Sequence, residues 1–236
     1  MEKGLSQEGL KILACVTMLV DHAALLFGGS PWLRAIGRLA FPIYCFLLTE
    51  GIRHTRDVRC YLSRLLFAAI VSEPIYDLVL YPCVGIWQHQ NVLWTLALGC
   101  AMLWCMTMIH KPVAKLAVML LFALAAQLVR ASYGSSGIYM IALFALCRGM
   151  PEGKWVLAAG LLVINWLMGS FTVSVFGLDV PVQLFAELAL VPIFLYSGEK
   201  RTRLKAVSWG FYLFYPAHLL LLWGIAQCVT GALCFG

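Results

Sequence analysis

Lys11 and His22 stand eleven residues apart in an otherwise apolar stretch, Lys11-Ile-Leu-Ala-Cys-Val-Thr-Met-Leu-Val-Asp21-His22. In a helix that separation is a rotation of about 1100°, three turns and a small remainder, so a cation and an imidazole share one face roughly 16 Å apart along the axis. On one stripe they can hold opposite parts of a long ligand, and an imidazole is the ordinary group for moving a proton near neutral pH. Asp21 is turned away from His22 by about 100° and cannot orient that ring, so its partner belongs on a neighbouring helix. A charged group in hydrocarbon costs about 2.5 kcal/mol or more. The pair is therefore kept either for a task or as a polar contact between helices.

Further residues qualify by type and spacing. Arg34 and Arg38 are four apart and lead into Gly37-Arg38-Leu-Ala-Phe41-Pro42. They call for an anion, and Asp21 is the expected partner of Arg38 across a short loop. Glu50-Gly-Ile-Arg53-His-Thr-Arg56-Asp-Val-Arg59, continuing to Tyr61 and Arg64, sets four arginines in twelve residues. Such a collar matches phosphate oxygens with forked donors, or serves only to fix topology or touch anionic lipid. Glu73 and Asp77, four apart around Pro74, are expected to neutralise Arg34 or Arg38, with a proton-carrying role as the alternative. His89 and Asn91, in Trp87-Gln-His89-Gln-Asn91, form a candidate lid or acceptor-recognition loop. Tyr215 and His218 flank Pro216, with His218 expected to bond between helices. Glu187, Asn165 and Gln127 read as polar glue.

The elements that position these groups follow from composition. The 236 residues are 62% hydrophobic and 12% charged, with a mean hydropathy of +0.88, which defines a polytopic membrane protein. No polar stretch is long enough for a soluble domain, so residues 1–236 form a single integral membrane domain. Apolar windows predict nine spans at 9–28, 36–52, 61–80, 91–110, 113–131, 136–149, 155–170, 180–197 and 206–229, an all-α transmembrane bundle. With the amino terminus inside, fourteen Lys and Arg fall on the inner side and only Arg34, Arg38 and Arg130 outside. The carboxyl end is then outside. The net charge of +6 sits in these short loops and serves orientation, so no nucleic acid is implied. Nine cysteines without a Cys-x-x-Cys argue against zinc or a redox dithiol, and no metal is expected. No internal repeat supports an inverted-repeat transporter.

Leu10-Lys11-Ile12 through Asp21-His22, Ile36-Gly-Arg38-Leu-Ala-Phe41-Pro-Ile43, Glu50-Gly51, His54-Thr-Arg56, Tyr61-Leu-Ser-Arg64-Leu65, Gln90-Asn-Val92 and Phe214-Tyr-Pro-Ala-His-Leu219 resemble the TraX family. The resemblance runs along nearly the whole chain. It implies a bacterial cytoplasmic membrane protein linked to acetylation of the amino terminus of conjugative pilin. Lys11 with His22, and Arg53-His-Thr-Arg56, are also similar to the broader acyltransferase-three superfamily, which has a basic residue ten positions before a His and an Arg-x-x-Arg.

On that resemblance, acetyl-CoA is the expected acyl donor on the cytoplasmic side. Lys11, Arg53, Arg56, Arg59 and Arg64 are expected to hold its phosphates, with His22 as general base and Asp21 and Arg38 beside it. Arg34, Glu73, Asp77, His89, Asn91, Tyr215 and His218 are expected to face the acceptor. The acceptor is an amine or hydroxyl of an exported peptide, a glycan or a small amine. Two other readings remain open: a proton-coupled transporter using Asp21, His22, Glu73 and Asp77, and a non-catalytic assembly factor. The loop charges predict that an impermeant thiol reagent added outside intact cells labels Cys83 and Cys234, whereas Cys60 reacts only once the membrane is opened. Labelling of Cys60 from outside would reverse the orientation.

Overall fold

Ser6 opens the first helix by accepting the Gly9 N–H at 3.1 Å, and α1 runs through Gln7–Leu26. The computed structural model describes residues 4–81, 89–169, 171–198 and 205–230. Ser30 caps a short α2 (Pro31–Gly37) with proline in its first turn, and after Arg38-Leu39 the chain continues as α3 (Ala40–His54). Asp57 accepts from the N–H groups of Arg59 and Cys60 at the start of α4 (Val58–Leu80), and Asn91 caps α5 (Val92–Thr107). Then follow α6 (Pro112–Leu128), α7 (Gly134–Cys147) and α8 (Gly153–Met168). Gly149 and Gly169, at φ 80° and 55°, turn the chain after α7 and α8 in a conformation that penalises any Cβ.

Thr172–Val175 and Leu178–Pro181 form an antiparallel pair, β1 and β2. Phe176 and Gly177 join them, both left-handed at φ 51° and 82°, as a two-residue hairpin requires. A 3-10 stretch over Val182–Ala189 passes into α9 (Leu190–Phe194), and α10 (Lys205–Thr230) follows. Two expected boundaries change. The second span starts earlier than residue 36 and is broken at Arg38-Leu39. The eighth, expected over 180–197, begins as strand and 3-10 turn. The β-branched alternation Thr-Val-Ser-Val explains this short hairpin in an otherwise all-helical fold. Cys83 and Cys234 lie outside the described residues, and Cys60 is exposed at the start of α4.

The molecule is apolar outside as well as inside. Leu116, Leu120, Leu121, Leu124 and Leu128 form one outward face of α6, whose buried residues are only Ala123 and Ala126. A continuous leucine face that no described residue covers is suited to lipid. Gln7–Leu26, Pro31–His54 and Trp209–Val229 are each long and apolar enough to cross a bilayer, and five further apolar helical stretches are shorter. Glycines bring helices close. A Cβ on Gly99 would overlap Ile141, and one on Gly137 would overlap Thr95. Asn165 donates to Glu187 at 2.9 Å and accepts from Gln183 at 3.1 Å, so the expected polar glue joins α8 to the 3-10 stretch.

Paired contacts define two ends. Leu5 bridges to Tyr196 and Glu50 pairs with Arg148 at one end, which also carries Arg53, Arg56 and Arg59. Gln90 bridges to Ala131 at the other, which carries Asp21, Arg34 and Arg38. Lys11 lies over Phe211 while His22 meets His218, so α1 and α10 run in parallel. Glu50 is only 1% exposed, with Arg148 on one carboxylate oxygen and His54 at 3.7 Å from the other. Removing one partner strands a buried charge. Arg148→Ala should lower the melting temperature in detergent markedly, and Arg148→Ala with Glu50→Gln should recover most of the loss. A single variant as stable as wild type would mean the pair holds nothing.

Candidate functional site

The carboxyl half of α1, the α2–α3 break, the ends of α4 and α8, the residue before α7 and the middle of α10 surround a cavity of about 210 Å³. Asp21, His22, Arg34, Arg38, Tyr215 and four further tyrosines, Tyr44, Tyr76, Tyr81 and Tyr133, are among its lining residues. Tyrosine supplies an apolar body with one polar tip, which suits a chamber that is neither water nor lipid.

Charge in this chamber is organised around Asp21. Arg38 Nη2 donates to both carboxylate oxygens at 2.9 and 3.0 Å, and Arg34 Nε lies 3.2 Å from Oδ1. All three side chains are 16–18% exposed, so two guanidiniums share one carboxylate largely out of water. The spacing of four puts both arginines on one face. Gly37 makes the approach possible, because a Cβ there would overlap Asp21 Cβ. Arg34 also stacks over Phe171 with its guanidinium carbon 6.0 Å from the ring centre, tying the cluster to the residue that precedes β1.

The two histidines form a directed chain. His218 Nδ1 lies 2.8 Å from the Phe214 carbonyl oxygen, which can only accept, so Nδ1 carries the hydrogen and donates. In the neutral ring Nε2 then has the lone pair, and His22 Nδ1 donates to it at 2.7 Å. That leaves His22 Nε2 as the lone-pair nitrogen of a neutral ring that lines the cavity. The two imidazole planes are 18° apart with centroids separated by 5.0 Å, the near-coplanar, edge-to-edge arrangement that an N–H···N bond requires, and Tyr215 packs edge-on against both. His218 is thus more than a helix-to-helix contact: it sets the tautomer of His22.

Several sequence expectations are corrected. Glu73 does not neutralise Arg34 or Arg38, whose ion pairs go to Asp21; it accepts from Trp94 Nε1 at 2.8 Å and from the Asn91 backbone and side chain. Asn91 is fully buried, bonded to Glu73, the Ala69 carbonyl and the Leu93 N–H. It pins α5 to α4 and does not line the cavity. Asp77 is likewise absent from the lining, and its ion pair with either arginine is not formed. His89 is exposed and its ring centroid lies 5.5 Å from that of the lining residue Tyr81, but His89 itself does not line the cavity. Trp87 and Gln88 lie outside the described residues.

At the opposite end the basic residues spread over a surface. Arg53, Arg56 and Arg59 are exposed, Arg59 stacks on Trp104 at 5.5 Å and Arg64 on Tyr61 at 5.7 Å. Along the stripe between the ends, Lys11 meets Phe211, Cys15 Sγ is 3.3 Å from the Tyr44 hydroxyl, and Met18 and His22 reach the cavity. Of the cavity tyrosines only Tyr215 was singled out in the sequence; Tyr44, Tyr76, Tyr81, Tyr133 and the spacing role of Gly37 were not. Their signal was hydroxyl-bearing aromatics in apolar segments that converge only in three dimensions.

These features define a helical membrane protein with a charged, tyrosine-lined cavity at one end and a basic surface at the other. The chain belongs to the TraX family: the family model described as TraX protein matches residues 6–226. A probable fimbrial assembly protein FimC, serogroup H1, of Dichelobacter nodosus is 35% identical over 231 residues, 90% of this chain and 92% of that protein. Protein TraX of Escherichia coli is 32% identical over 136 residues, 56% of this chain and 52% of its own length. Protein TraX of Escherichia coli strain K12 is 31% identical over the same shares of both chains. No solved structure matches.

Replacing Asp21 by Asn leaves two guanidiniums without their carboxylate. Breaking a buried pair from one side typically costs about 3–5 kcal/mol, and the cost here should appear as a large fall in the unfolding temperature of purified protein. Unchanged stability of Asp21→Asn would remove the ion cluster from the structural core of the site.

Proposed function

We propose that this protein is a membrane-embedded acyltransferase that moves an acetyl group from cytoplasmic acetyl-CoA to an acceptor amine or hydroxyl on the outer side, foremost the amino terminus of a pilin-like peptide. The observation that carries the reading is the lone-pair nitrogen of His22, held by His218 in a cavity that also holds charged donors. The pilus-related relative, a probable fimbrial assembly protein, supports an exported peptide as acceptor.

In this reading the basic end faces the cytoplasm, in keeping with the positive-inside preference. Arg53, Arg56, Arg59, Arg64 and Lys11 contact the phosphates of the donor, guanidiniums as forks and the lysine as a point charge. The pantetheine arm follows the α1 stripe past Cys15 and Met18. The rise from Lys11 to His22, about 16 Å, is a distance that such an arm can span. The acceptor amine attacks the thioester carbonyl carbon while His22 Nε2 takes its proton. The tetrahedral intermediate collapses by breaking its carbon–sulfur bond, and the departing CoA thiolate takes the proton from His22 Nε2, which leaves free CoA thiol and restores the neutral imidazole. The products are the acylated amine and free CoA.

His22 is the catalytic residue, and His218 a positioning residue that holds the ring with its lone pair outward. Arg38 keeps Asp21 from becoming a competing acceptor for the His22 proton. The similarity to the acyltransferase-three superfamily in the Lys11-to-His22 spacing points the same way. An assembly-factor role draws on the relative's name alone and gives the histidine chain no task.

Proteoliposomes loaded with labelled acetyl-CoA and supplied outside with candidate pilin-type peptides test the proposal. His22→Ala should lower transfer by about a hundredfold to ten-thousandfold, the usual contribution of a general base. His218→Ala should reduce it less, and His218→Gln, whose side-chain oxygen can still accept from His22 Nδ1, should restore part of the rate. Transfer by His22→Ala at the wild-type rate would refute the mechanism.

A further inference from the structure

Charge in the cavity does not balance. Arg34 and Arg38 bring two positive charges and Asp21 one negative, all three side chains at most 18% exposed. Asp21 engages Arg38 through Nη2 and Arg34 through Nε. Arg34 Nη1 is out of reach of solvent and has no hydrogen-bond partner among the described residues. A guanidinium presents five N–H donors, and an unfilled pair on a buried one is costly unless something occupies it. The Phe171 ring contributes a cation–π contact but accepts no such bond in the plane of the guanidinium.

We propose that the cavity recognises a peptide acceptor by a carboxylate close to its amino group, with Arg34 as the residue that receives the carboxylate. The proposal rests on the acyl-transfer reading for the role of the amine, which must reach His22 Nε2. Both groups line the same cavity of about 210 Å³, so one small acceptor segment can touch both. With the acceptor amine in the neutral form that attacks, a carboxylate on Arg34 brings the chamber to two positive and two negative charges. The donor phosphates cannot supply this anion, because their basic contacts lie at the other end of α1, about 16 Å away.

A peptide is favoured over the other small molecule with this chemistry, an ethanolamine phosphate headgroup. Phe171, which covers Arg34, runs directly into β1, so the β1–β2 hairpin stands beside the arginine. Among the described residues each strand pairs only with the other, which leaves outer edges that an extended peptide can join through its backbone. The tyrosine walls suit a peptide chain in the same way.

The test uses purified full-length protein in detergent, without acyl-CoA, and measures calorimetric affinity for three probes: Ala-Asp-Ala amide, Ala-Asn-Ala amide and O-phosphoethanolamine. A charge-assisted pair predicts that the Asp peptide binds roughly tenfold or more tighter than the Asn peptide, and that Arg34→Gln removes the difference. Equal affinity of the two peptides in the wild-type protein, or no binding of either, overturns the proposal without need of any variant. So does a preference that survives in folded Arg34→Gln. Tighter binding of phosphoethanolamine than of the Asp peptide overturns the peptide assignment in favour of a lipid headgroup. Because no donor is present, failure here leaves the His22→Ala transfer result untouched. Conversely, absence of transfer would not erase a measured preference for the acidic peptide.

Discussion

The ion cluster of Asp21 with Arg34 and Arg38 is the interaction on which the rest of the cavity depends. Three charged side chains taken largely out of water are tolerable only when each is matched in geometry as well as sign. Arg34 and Arg38, four residues apart, present both guanidiniums to one carboxylate, and Gly37 between them lets α1 come close enough to be reached. The second span is therefore not one straight helix. It is broken at Arg38-Leu39, and the short α2 leans on the 3-10 stretch through Trp32 and Phe185, 5.7 Å apart. The opening left between α1, α3 and α10 is the cavity.

A second constraint is direction. α1 and α10 run in parallel because Lys11 meets Phe211 at one level and His22 meets His218 at another. Pro216 lies inside α10 between Phe211 and His218, where a missing backbone donor loosens the ladder. One turn of helix then does two jobs: it offers Tyr215 to the cavity and sets His218 with Nδ1 on the Phe214 carbonyl. A carbonyl cannot donate, so the whole chain of hydrogens is fixed from this one atom outward. The free nitrogen of His22 is the end of that chain.

Local signals carried a large part of this architecture. The Asp21-to-Arg38 pairing was legible because a buried carboxylate and a nearby arginine across a short loop have few other choices. The apolar windows located the helical segments, and the residue spacing of α1 placed Lys11 and His22 on one face. What was not legible depends on convergence. Glu73 looked available to the arginines in sequence, yet Asn91 and Trp94 reach it first from α5. His218 is 196 residues from His22, and no periodicity connects them. The hairpin at residues 172–181 was missed because it falls almost wholly between the windows 155–170 and 180–197, where two four-residue strands are too short to leave a hydropathy signal.

The central claim is that His22 keeps its hydrogen on Nδ1 and presents a bare Nε2 to the cavity. Nitrogen-15 solid-state NMR of histidine-labelled protein in lipid bilayers, assigned with His22→Ala and His218→Ala, reads this directly. Both residues should show neutral rings with a protonated Nδ1 and an unprotonated Nε2, and a through-space correlation should link His22 Nδ1–H to His218 Nε2. A His22 ring protonated at Nε2, or no correlation between the two rings in the folded protein, would contradict the claim.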